Sequence, residues 1–524
     1  MLYRFLVGLI LGTVFSLGFS TASPVFASSS KLVGTKLTFE HYKITAPFKV
    51  TMPVIAVDII NNEQYPADEL VIIGQDEQQH TWLAVYVFHE KKNDFVLLDK
   101  LRLSDKYFAF DVSENQQGLY FLAKNEVVSL NYNDGLTKTD SLPSALYLQN
   151  KQKVNSIFLQ NKSSFITRKD FIQDVNKDGL DDIILPDFER TNLWLASKGS
   201  QEYRYQYLPI NTQVELSQEG VFFNPVTLFY ADLTLDGQQD IAWISKGHIN
   251  YFRQIEGGSF SSQQEELALV SSIHGLNWWQ IRESDGENLD QSNLTHRVIE
   301  KIKDINGDGF VDVIVRFTKS SGVLDRVNDY EFYLGFSNKN GQLELPKIAN
   351  TVIKAEGTLT GLNIIDVNND GKFEVLLSSF ELSISNIIGA LMSGGIDQNV
   401  LLFALNDNNV YASDAVISKE VELSFSLTSG QSGQPIVLLS DVNGDGLQDL
   451  ILSSGKDKLK IFSGQNSSRL FNRKASKHKL LLPKDGALFE HYDINHDGKE
   501  DFIMRYGRLD DESMANQITI LMVK

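Results

Sequence analysis

From about residue 166 to the end, short unbroken apolar runs alternate with polar stretches. Six of the runs begin directly after an acidic residue: Ile183-Ile184-Leu185, Ile241-Ala242-Trp243-Ile244, Val313-Ile314-Val315, Val375-Leu376-Leu377, Leu450-Ile451-Leu452 and Phe502-Ile503-Met504. They are continuous rather than alternating, and rich in β-prone residues. That pattern predicts short strands buried on both faces. Polar turn-forming segments separate them, so the chain reads as all-β.

What precedes each run is a repeated nine-residue phrase, D-x-[NT]-x-D-G-x-x-[DE]. It occurs as DVNKDGLDD, DLTLDGQQD, DINGDGFVD, DVNNDGKFE, DVNGDGLQD and DINHDGKED, and successive starts lie 58, 72, 62, 75 and 52 residues apart. A fixed phrase at such intervals marks a repeat architecture. Its side-chain oxygens at positions 1, 3, 5 and 9 are Asp174, Asn176, Asp178 and Asp182, then Asp232, Thr234, Asp236 and Asp240. The third and fourth copies give Asp304, Asn306, Asp308, Asp312, Asp366, Asn368, Asp370 and Glu374, and the last two Asp441, Asn443, Asp445, Asp449, Asp493, Asn495, Asp497 and Asp501.

Calcium takes six to eight oxygen ligands, and the spacing suits it. Positions 1, 3 and 5 place three oxygens inside one tight turn. Glycine at position 6 permits the positive φ that reverses the chain, position 7 offers a carbonyl, and the acid at position 9 can close the shell. Without a cation, carboxylates about 5 Å apart repel by roughly 3 kcal/mol per pair at an effective dielectric near 20. The expectation is about six Ca2+ sites. An EF-hand is excluded because position 12 is Leu185, Trp243, Val315, Leu377, Leu452 and Met504, none of them an acid. Dockerin-type loops share the opening but lead into a helix, whereas these lead into strands.

Six such loops between apolar strands resemble the FG-GAP-like or VCBS-type repeats of exported bacterial proteins, and are similar to the calcium loops of integrin α-subunit propellers. The resemblance covers residues 171–524 and rests on the calcium half of the repeat, since the literal FG and GAP strings are missing. It implies a single β-propeller of four-stranded blades, with the loop joining first and second strands of each. Upstream, Ala56 to Ile60 leads through Asn61 and Asn62 to the run Asp68 to Ile73, and Phe108 to Val112 leads through Ser113–Gly118 to Leu119–Leu122. These read as two units with decayed loops, at about 45–165, ahead of six calcium-loop units at about 166–524. Eight blades are expected, with seven the alternative. The last unit, from Leu488, has room for three strands, and residues 36–44 could supply the fourth.

Composition adds three constraints. The chain has 524 residues, no cysteine, and a formal net charge of −19. Zero cysteine removes disulfide scaffolds and thiol chemistry, and the acidity argues against a nucleic-acid binder. Eighteen of the 67 acidic residues stand at the ligand positions 1, 5 and 9 of the six loops, so much of that charge is explained by metal. Residues 1–27 read as a cleaved export leader: Arg4, an apolar run from Phe5 to Phe19 too short to span a bilayer, then small residues at Val25 and Ala27. The expectation is a mature chain of residues 28–524 with no membrane span, in the periplasm or outside the cell.

Function is less legible, because one fold serves adhesion, ligand binding and catalysis alike. The insertion 271–296 holds His274, Trp278, Trp279, Arg282 and His296, a set that could stack on a sugar or clamp a carboxylate. Packing is the plainer reading. A second insertion, 381–411, includes Ile387–Met392 and reads as a packed helix or strand. Arg473, Lys474, Lys477, His478 and Lys479 read as a solvated edge. A binding or interaction module for a protein or glycan is the leading expectation. The alternative is a lyase-like polysaccharide enzyme, which needs a His or Tyr base and a cation, with His274 and Arg282, or His248 and Tyr251, as the candidates; no catalytic residue is assigned.

Overall fold

The computed structural model describes residues 37–60, 65–133, 145–157, 166–200, 202–217, 220–269, 272–281, 289–322, 325–354, 357–380, 395–426 and 431–524. The leader 1–27 and the Ile387–Met392 run lie outside the described residues. Strands dominate, and the helices are single 3-10 turns such as Trp278–Gln280. Among the described residues no helix is long and apolar enough to cross a membrane.

The strands form consecutive antiparallel sheets. The first is built on Ile55–Val57, Glu69–Gln75, Thr81–His89 and Asp94–Arg102, and the second on Ala109–Val112, Leu119–Ala123, Glu126–Tyr132 and Leu146–Lys153. The two upstream units therefore form sheets without the acidic phrase. The third comprises Ile172–Gln173, Asp182–Pro186, Thr191–Leu195 and Arg204–Leu208, and the fourth Leu228–Ala231, Asp240–Ser245, His248–Phe252 and Glu265–Ala268. A nine-stranded sheet follows. It is two up-and-down units, Leu294–Lys303 to Thr351–Ile353 and Thr358–Ile365 to Ile417–Ser426, joined by one parallel bridge between Asn328 and Thr358. We count these as the fifth and sixth sheets. The seventh runs Val437–Ser440, Asp449–Ser453, Lys458–Phe462 and Ser476–Lys479. In the eighth, Phe489–Tyr492, Asp501–Arg505 and Gln517–Val523 are joined by Phe39–Thr45, which pairs antiparallel with the last strand from Phe39–Val523 to Thr45–Gln517.

Each acidic run is buried on both faces, as the continuous apolar pattern requires. In the strand Asp501–Arg505, Phe502 and Met504 enter a core shared with the seventh sheet, while Ile503 enters one shared with the first. The same split recurs at Val313 and Val315 against Ile314, and at Leu450 and Leu452 against Ile451. Period-two side-chain direction distributes a continuous apolar run between two neighbours. Every sheet shares a core with the next in sequence, and Tyr42, Ile44, Ile503, Ile518 and Ile520 of the eighth pack with Leu70, Ile72 and Ala84 of the first. The basic cluster sits at the outermost strand of the seventh sheet, with Arg473, Lys474, Lys477 and Lys479 exposed.

The contact between the chain's ends can be tested through Ile518, which is fully buried and pairs with Ile44. Ile518→Ala is expected to cost about 2–5 kcal/mol in urea unfolding. A loss below about 1 kcal/mol, the range of an ordinary surface change, would contradict this packing.

Candidate functional site

Each acidic phrase joins the first and second strands of its sheet. In the third copy, Asp304 accepts the Gly307 N–H through Oδ1 and the Gly309 N–H through Oδ2, both at 2.8 Å. Asn306 accepts the Asp308 N–H at 3.1 Å and Asp308 the Phe310 N–H at 2.9 Å. The bond from position 6 to position 1 recurs at Gly179, Gly237, Gly371, Gly446 and Gly498, at 2.7–2.9 Å. All six position-6 glycines have φ between +80° and +86°. Position 4 is left-handed too, at Lys177, Leu235, Gly307, Asn369, Gly444 and His496, which the spacing alone did not announce.

The position-9 acids hold a place that spacing could not show. Asp182, Asp240, Asp312, Glu374, Asp449 and Asp501 are buried. One oxygen of each accepts the N–H of loop position 2, from Val175, Leu233, Ile305, Val367, Val442 and Ile494 respectively, at 2.9–3.3 Å. In the five aspartates the other oxygen accepts an N–H at the end of the third strand, from Ala196, Gln254, Gly335, Gly464 and Val523. Glu69 holds the corresponding place in the first sheet, its Oε2 accepting from Ile59 and Ile60 at 2.9 and 3.0 Å. Burial pushes these carboxyls up: Asp182, Asp312, Glu374, Asp449 and Asp501 to about 7, and Asp240 to about 6. The backbone N–H groups pull the other way, and the carboxylates of the loop add to the rise.

Among the described residues, no group of three or more His, Asp or Glu side chains is gathered to hold a metal ion. One feature fits a cation. Thr234 Oγ1 and Asn368 Oδ1, both at position 3, are buried without a hydrogen-bond partner. An unpaired buried oxygen is costly unless something electropositive faces it.

Neighbouring loops are also tied together. The N–H just before the position-9 acid reaches the preceding loop: Phe373 to the Ile305 carbonyl at 2.9 Å, Gln448 to Val367 at 2.9 Å and Glu500 to Asp441 at 3.0 Å. Asp68 of the first sheet does likewise to Ile494 of the eighth, at 2.8 Å.

Because the loops join first to second strands, the far ends of those strands form the opposite edge of each sheet. There residues 272–281, a described part of the insertion, pack against the fifth sheet through Asn277, Trp278 and Trp279. His274 and His296 stack at 4.1 Å, and the Leu276 carbonyl accepts from His296 Nε2 at 3.0 Å. Burial lowers both imidazoles, His296 to about 4. Trp278 is buried and Trp279 half-buried, edge to face at 5.6 Å. Their cationic neighbours are Arg326 over Trp278 at 5.3 Å and Arg316 over Trp279 at 5.1 Å. Sequence reasoning missed both, because they arrive from the second and third strands, 37 and more residues away along the chain. Arg282 lies outside the described residues. A cleft of about 540 Å³ beside the insertion brings together Lys246, His248, Ser272 and His274. Tyr251 does not join His248 there. Three positions along one strand put it on the other face, and its hydroxyl donates to Glu265.

The region from the third phrase to the strand after the fourth, residues 304–377, matches the FG-GAP-like repeat family. No curated protein matches the chain. Among solved structures it is similar to the Nup133 β-propeller domain of Vanderwaltozyma polyspora, with 11% identity, 79% of this chain and 92% of that one covered, and a TM-score of 0.37. The WD40 domain of SCAP from fission yeast gives 10%, 84%, 98% and 0.31, and a putative 6-phosphogluconolactonase of Bacteroides fragilis 9%, 82%, 95% and 0.30. At these scores the likeness carries no argument about this chain's own fold or activity.

The contact between the third and fourth loops separates two glycines. At Gly309, φ is +86° and an added Cβ meets open space; at Gly307, φ is +73° and a Cβ would lie 2.8 Å from the Gly371 carbonyl oxygen. Gly309→Ala is expected to cost about 1–2 kcal/mol from backbone strain alone, and Gly307→Ala more. Urea midpoints showing Gly307→Ala to be the milder change would contradict the loop-to-loop contact.

Proposed function

We propose that the chain is an exported β-propeller of eight four-stranded blades. It is akin along its length to FG-GAP-like and VCBS-type repeat proteins, uses six calcium loops for stability, and serves as a binding module for a protein or glycan. The leader 1–27 would be removed and residues 28–524 form the propeller. The succession of shared cores and the addition of Phe39–Thr45 to the eighth sheet support the ring. One observation carries the metal reading: the same acidic turn is built six times, and its position-3 oxygen is left unpaired where Thr234 and Asn368 stand. Side chains at positions 1, 3 and 5 and the carbonyl at position 7 would hold the ion, with the position-9 acid beside them. Its charge would offset the crowded carboxylates.

The magnitudes suffice. Extracellular calcium sites bind at about 10⁻⁴–10⁻³ M. With free calcium five- to tenfold above that constant, each site adds about 1–1.4 kcal/mol. Six sites together add about 6–8 kcal/mol, comparable with a domain's usual margin of about 5–15 kcal/mol. EDTA is therefore expected to lower the melting temperature by many degrees, with recovery on adding calcium. An unchanged melt would sink the structural-calcium reading.

The binding reading is tested by a glycan array probed with and without calcium, on which calcium-dependent retention of a defined glycan class is expected. The lyase-like reading draws on the cleft that joins Lys246, His248 and His274. It predicts release of unsaturated uronates from a polyuronide, followed by absorbance, where the binding reading predicts retention without turnover.

A further inference from the structure

Among the described residues, no acid faces one buried guanidinium of the fifth sheet. Arg326 is 8% exposed, and its Nε and Nη1 have no hydrogen-bond partner. The two other arginines of this sheet are matched. Arg297 forks onto Glu331 at 2.9 and 3.0 Å, and Arg316 meets Glu300 at 2.5 Å while donating also to Asn277. Among the described residues, one buried arginine of the sheet is thus left without an acid. Burial and the nearby Arg316 hold the Arg326 guanidinium below its ordinary range, at about 10, still charged at neutral pH. An unpaired buried charge costs far more than an unpaired neutral group, so its retention calls for a partner.

The surroundings have the same character. Strand register places Arg316, Thr318 and Ser320 opposite Tyr330, Asn328 and Arg326, with Val298, His296 and Leu294 on the third strand of the row. All of these are buried, at the edge far from the acidic loops. His296 Nδ1 and Gln291 Oε1, from the segment entering this row, are buried without partners too. Trp278 and Trp279 flank the two guanidiniums, and Asn277 and Glu300, which hold Arg316, also line a cavity of about 120 Å³.

We propose that Arg326, with Arg316 held beside it by Trp279, Asn277 and Glu300, forms a binding site for the carboxylate of a small acidic ligand at this end of the fifth sheet. A single leftover positive charge matches a monoanion, not a dianionic phosphate. A planar guanidinium backed by an indole suits a planar carboxylate. Two sources share that chemistry, a uronic sugar and a simple organic acid. The site deepens the reading of the chain as a binding module and rests on it, but it does not need the loops to be calcium sites.

The test is a thermal melt with calorimetric titration, in saturating calcium, using sodium glucuronate, sodium acetate, glucose, and sodium chloride at matched ionic strength. Glucuronate is expected to raise the melting temperature saturably, while glucose and chloride do not. An equal effect from acetate assigns the site to the carboxylate alone; a weaker one assigns part of the affinity to the sugar ring. Arg326→Met is expected to melt at or above the wild type without ligand, because an unpaired buried charge is gone, and to lose the glucuronate response. Arg326→Lys, which keeps the charge but not the planar fork, is expected to bind at least several-fold more weakly. No carboxylate effect on the wild type, or one undiminished in Arg326→Met, overturns the proposal. Such a failure leaves the EDTA melt and the glycan array to decide the wider reading separately.

Discussion

A sheet that is apolar on both faces cannot stand in water alone, and the rest of this structure follows from that constraint. Ile503 and its neighbours Phe502 and Met504 belong to one strand yet enter different cores. Burying only one side would leave a full row of aliphatic and aromatic groups exposed, at about 25 cal/mol for each Å². Each sheet therefore needs a neighbour on either side. The sheet at each end of the chain would lack one, and here those two face each other across Tyr42, Ile44, Leu70, Ile72, Ile518 and Ile520.

The acidic phrase fits into that arrangement at two levels. Positions 1, 3 and 5 fold the turn on its own backbone N–H groups, a local matter. Position 9 is part of the sheet: in the five loops where it is an aspartate, its carboxylate, buried at the root of the loop, fastens the turn to the end of the third strand. A buried acid with both oxygens on backbone donors is a rigid fixture. It sets each loop at the same height on its sheet, so that Phe373, Gln448 and Glu500 can reach back to the loop before them. The third to sixth loops are thereby a connected row rather than separate turns.

Much of this was legible beforehand. The three-residue apolar runs gave the strands and their two buried faces, and D-x-[NT]-x-D-G gave the turn and its left-handed glycine. The shortfall of one strand after Leu488 pointed to the partner that Phe39–Thr45 supplies. The insertion was read correctly only in part. Trp278 and Trp279 read as a pair with Arg282 close by in sequence, and Arg282 lies outside the described residues. Register delivers Arg316 and Arg326 to the two indoles, which the sequence did not announce, because antiparallel pairing places side chains together without regard to their distance along the chain.

What the sequence determined by itself is everything with a short period: strand identity, turn conformation, the oxygens offered at each loop, and the rhythm of units. Those depend on neighbours within nine residues, where backbone geometry leaves few choices. The tertiary structure alone decided that Asp182 and its counterparts lock strands as well as border the loops. It alone buried Arg326 with no carboxylate among the described residues, and brought His248 and His274 to one cleft. These are outcomes of packing between strands far apart in the chain, and no local pattern encodes which groups will meet there or which will be left unpaired.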